Sequence, residues 1–79
     1  MDIFLELTDL IHDHLGIERK RINPDACFDK DFNLGKDEIT EFFHLLENHY
    51  KISFSPVEKE EIKTVDDLNL ILQDHLNEI

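Results

Sequence analysis

Four oxygen-bearing side chains, Asp29, Asp31, Asn33 and Asp37, fall at places one, three, five and nine of a helix-flanked calcium loop. Such a loop needs a ring of hard oxygen ligands, a Gly at place six and a bidentate Glu at place twelve. Here those two places hold Leu34 and Thr40, and Glu41 comes one residue late. The pattern supports weak, non-selective divalent binding, with a calcium-responsive Asp29–Asp37 loop kept as a second alternative. The histidines are spaced poorly for zinc. His12 and His14 are two apart on a helical pattern and point to different faces, and His44 and His49 are five apart. Cys27, the only cysteine, sits among acidic residues rather than in the electropositive setting a nucleophile needs, so a small packed residue is expected. No Ser/His/Asp set and no phosphate-cradling glycine loop occurs. The sequence therefore offers no catalytic residues, no metal site beyond the weak Asp/Asn set, and no enzyme.

Charge narrows the partners. The 79 residues carry 19 Asp+Glu against 8 Lys+Arg, a formal net charge of −11. That field repels phosphate backbones and anionic lipid heads and favours a basic protein surface. Nucleic acid and membrane are accordingly not expected as partners. One cysteine allows no internal disulfide, and the acidic start MDIFLELTD does not resemble a signal peptide, so the expectation is a monomer in a reducing cytoplasm. At this length one domain, residues 1–79, is expected, burying about 60% of the open chain's surface.

Apolar spacing gives the elements that would position these residues. Ile3, Phe4, Leu7, Leu10, Ile11 and Leu15 predict a helix over 2–15, capped by Asp2 and ended by Gly16. Residues 17–35 have no period, yet Ile22, Pro24, Ala26, Phe28, Phe32 and Leu34 should pin them to the helices. Ile39, Phe42, Phe43, Leu46 and Tyr50 predict a helix over 36–50 with Gly35 as N-cap. Ser55-Pro56-Val57-Glu58 opens a short helix, and Thr64-Val65-Asp66-Asp67 caps a last one. The expected fold is all-α, three main helices plus one short helix.

Three blocks, INPDACFDKDF, EITEFFHLLENHYKI and EEIKTVDDLNLIL, in this order and without insertion, resemble the acyl carrier protein family over nearly the whole chain. The resemblance implies an acyl-carrier-like bundle whose second helix is an acidic recognition element. In that family this helix opens with Asp-Ser-Leu, and the serine carries a phosphopantetheine arm. Here the same positions are Gly35, Lys36 and Asp37. A lysine amine cannot accept the phosphodiester, so no phosphopantetheine cofactor is expected at Lys36. The chain looks closer to an acyl-carrier-like branch in which charged residues replace the serine motif.

The resemblance further implies docking through Asp37, Glu38, Glu41 and Glu47, with Glu58, Glu60 and Glu61 nearby, on an enzyme of fatty-acid or polyketide metabolism. The bland reading of the same residues, a solvated face that keeps a small domain in solution, stands beside it. A true carrier with an unrecognised attachment site is the first alternative. Phe42, Phe43 and Phe54 are bulky for the space in which working carriers hold cargo, and are expected to fill it.

Overall fold

Each helix begins where an oxygen can take up amides that its first turn leaves unpaired. The computed structural model describes residues 2–76. Helix α1 (Ile3–Leu15) starts with the Leu5 N–H donating to Asp2 Oδ1 at 3.3 Å. It stops at Gly16, whose φ of 71° is the left-handed geometry that glycine adopts without strain. Helix α2 (Lys36–Tyr50) is reached through Gly35, whose N–H donates to Glu38 Oε1 at 2.9 Å. It ends at Lys51 in the same left-handed region, φ 59°, without a glycine to mark it.

Helix α3 (Pro56–Glu61) carries the capping box the sequence predicts. The Glu58 N–H donates to Ser55 Oγ at 3.1 Å, and the Ser55 N–H to Glu58 Oε1 at 2.8 Å. Helix α4 (Val65–Leu76) begins with a reciprocal pair. The Asp67 N–H donates to Thr64 Oγ1 at 3.1 Å, while Asp67 Oδ2 accepts from both Lys63 and Thr64 N–H at 3.0 Å. Burial alone would raise the Asp67 pKa, but these amides and the Thr64 hydroxyl outweigh it and hold the carboxyl below its usual value.

Among the described residues there is no strand, and the fold is an all-α bundle of three longer helices and one short one. Leu7 and Ile11 of α1, Leu46 of α2, and Leu68 and Leu72 of α4 are fully buried. Each such side chain contributes roughly 1.5–3 kcal/mol relative to exposure. The Tyr50 hydroxyl at the end of α2 donates to Glu6 Oε1 of α1 at 3.0 Å. Burial, then this bond, pushes the Tyr50 pKa up to about 12.

The 17–35 connection packs down as its apolar residues predict: Ile22, Ala26, Phe28 and Phe32 are all buried. Pro24 is the exception. It is exposed, and what holds its segment is backbone, with the Asp66 N–H donating to the Pro24 carbonyl at 3.0 Å. The Val65 N–H donates to the Ala26 carbonyl at 3.0 Å and the Phe28 N–H to the Lys63 carbonyl at 3.1 Å, so the loop is stitched to the α3–α4 junction. A 3-10 turn, Arg19–Arg21, and an isolated antiparallel bridge between Cys27 and Thr64 lie within this loop region. Cys27 is half-exposed there rather than packed in the core, because the bridge holds its backbone at the surface of the junction. No helix among the described residues is long and apolar enough to cross a membrane. Of the expected 1–79 domain, Met1 and residues 77–79 lie outside the described residues.

Candidate functional site

The start of α2 brings most of the predicted docking residues together. Lys36, Asp37 and Glu38 are its first three residues, and Glu41 follows one turn later. All four are exposed. Spacings of three and four place Glu38 and Asp37 beside Glu41 on the helix surface. The ion pairs of the described residues include none of these three carboxylates. Glu38 lends one oxygen to the Gly35 amide, whereas Asp37 and Glu41 are left to solvent. Two acids in the first turn also suit the positive helix end.

Glu47 does not share this face. Its side chain is only 15% exposed, because the turn after α2 leaves the buried Phe54 an amide that needs an acceptor. Glu47 Oε2 supplies it at 2.8 Å, and lies 3.9 Å from Lys59 Nζ of α3. The expected four-residue stripe is therefore three exposed carboxylates and one peg. Glu58 is a peg too, while Glu60 and Glu61 are exposed. The Ser55 amide lowers the Glu58 pKa despite some burial, helped by His75 of α4, whose Nε2 sits 3.0 Å from Glu58 Oε2.

The first residue of α2 is Lys36, flanked by Gly35 and Asp37, so no hydroxyl stands at this helix start. Of Ser53 and Ser55, beyond the far end of α2, Ser55 uses its Oγ to cap α3. Phe42, Phe43 and Phe54 are buried, and the Phe43 and Phe54 rings meet edge to face at 5.8 Å.

Beside them an open cleft of about 640 Å³ lies between residues 28–34, the first half of α2 and α3. Phe28, Leu34, Ile39, Phe43 and Ile62 wall it; Lys36, Lys59, Lys63, Asp29 and Glu60 stand around it. Phe43 is the one ring of the three that lines it. Sequence reasoning missed the cleft. The signal available was the four-residue spacing of Lys59 and Lys63 in an acid-rich chain.

The Asp29–Asp37 set is spread over different tasks. Asp29 Oδ1 accepts the Lys30 N–H at 2.7 Å and Asp31 Oδ2 accepts the Cys27 N–H at 2.6 Å. Asn33 holds a left-handed backbone, φ 55°, and Asp37 belongs to α2. Among the described residues no three His, Cys, Asp or Glu side chains gather where they could hold a metal ion. Two polar features had no sequence signal: His75 on Glu58, and Asn69, whose Oδ1 is buried without a hydrogen-bond partner.

No protein-family model matches the chain.

Proposed function

We propose that this chain is a non-enzymatic, acyl-carrier-like docking module, which engages a basic surface of a partner protein through the first turns of α2. The partner this reading favours is an enzyme of fatty-acid or polyketide metabolism. The observation that carries it is the trio Asp37, Glu38 and Glu41, exposed and outside every ion pair of the described residues. A net charge of −11 supports it, since a field of that sign speeds encounter with cationic surfaces. The helix order and the three sequence blocks support descent from carriers. Lys36 supports loss of the phosphopantetheine arm.

The test has two parts. Intact mass of the protein purified from its own host should equal that of the unmodified chain; a phosphopantetheine or acyl adduct would establish the carrier alternative instead. Capture from host extract, run with the native chain and with an Asp37→Lys/Glu41→Lys variant, should return a protein that only the native chain holds. A set of captured proteins identical for both chains contradicts docking through α2.

A further inference from the structure

The outward stripe of α2 does not end at Glu41. Steps of four, three and four carry it from Asp37 through Glu41 to His44 and Asn48, all exposed and in line along the helix. Its third member is thus a side chain of the type that gains or loses charge between about pH 5 and 8. The other histidines are placed differently. His12 Nδ1 donates to the Ile17 carbonyl at 2.9 Å, His75 lies on Glu58, and His14 belongs to α1. His49 is on α2 but off the stripe, edge to face with the Tyr50 ring at 4.7 Å. The charged groups around His44 are few. On α2, Glu41 lies one turn before it and Glu47 one turn after, with Glu47 Oε1 at 3.3 Å from His44 Nδ1. From α3, Lys59 Nζ stands 3.9 Å from the other Glu47 oxygen, which also takes the Phe54 amide.

We propose that His44 makes docking through α2 pH-dependent: uncharged, it leaves the stripe its full negative charge, and protonated, it weakens the hold on a cationic surface. The proposal rests on the α2 reading above and adds a control to the same site. Glu41 belongs to no ion pair of the described residues, so it is the carboxylate a partner's cation can meet. A proton on His44 and a cation over Glu41 then compete, because each puts positive charge about 5–6 Å from the other's place. Glu47 cancels the new charge only in part, since it already faces Lys59 and the Phe54 amide. The effect is local. Asp37 lies about 10 Å along the axis from His44, beyond the screening length of about 8 Å at physiological salt.

Hexalysine serves as the cationic probe. It is titrated into the full ¹⁵N-labelled chain at about pH 7.5 and about pH 5.5, at equal ionic strength, with affinity read from two-dimensional NMR shifts. The expected result is saturable shifts centred on residues 37–48, and binding that weakens on acidification about threefold more in the native chain than in His44→Gln. His49→Gln, which removes a histidine outside the stripe, should keep the native response. Equal weakening in the native chain and His44→Gln, or a response lost to the same degree in His49→Gln, would overturn the proposal and leave α2 docking standing. Shifts centred away from α2, or no saturable shifts at all, would overturn this proposal together with the α2 reading.

Discussion

Carboxylates meet two different fates within this one small bundle. At the start of α2, Asp37 and Glu41 stand in solvent, bonded to nothing among the described residues. At the corner around α3, from the turn after α2 to the head of α4, Glu47, Glu58 and Asp67 each accept backbone amides that would otherwise lack a partner. An acidic count alone cannot distinguish them. The corner acids are used up by folding, whereas Asp37 and Glu41, like the exposed Glu60 and Glu61, are left for another molecule. The face proposed for docking is among what remains after the chain's own amides have been served.

Removing a corner acid should therefore hurt stability far more than removing an α2 acid. Asp67→Ala strips two amides of their acceptor at the head of α4, and a loss of about 1–2 kcal/mol is expected from chemical denaturation. Glu47→Ala should come next, at about 1 kcal/mol or slightly more, since the amide it leaves unpaired belongs to the buried Phe54. Asp37→Asn and Glu41→Gln should change stability by less than about 0.5 kcal/mol, or raise it slightly by relieving repulsion. Equal losses at both regions would erase the distinction.

Acid should act on the same corner. The folded-state pKa values of Glu58 and Asp67 are depressed, so their stabilisation is present above the unfolded carboxylate range. It is lost as pH falls through the lowered folded values. Stability measured downward from about pH 4.5 should decline less steeply in Glu58→Gln than in the native chain. Tyr50 behaves in the opposite sense. Its raised pKa means that its contribution is intact below pH 10.0 and lost as pH rises toward about 12, a loss that Tyr50→Phe should remove.

Most of the fold was legible because its signals are local. Asp2, Gly16, Ser55 and Thr64 mark helix ends by their own side-chain chemistry or lack of a Cβ, and the structure places the ends there. Lys51 at the end of α2 carried no such mark, since a left-handed lysine is held by the turn it leads into rather than by its type. The site was legible only in part. Spacing put Asp37, Glu38 and Glu41 on one helix face, but no spacing shows that Glu47 turns toward an amide seven residues on. The cleft joins residues 28–36 to 59–63, and such long-range meetings leave little trace in periodicity.

Whether α2 presents its free acids to a basic partner is decided by comparative capture from host extract. The native chain and the Asp37→Lys/Glu41→Lys variant are run side by side, both confirmed as folded by their denaturation midpoints. We expect a protein held by the native chain, released by raised salt and absent from the variant. The same proteins retained by both folded chains, insensitive to salt, would contradict docking through α2.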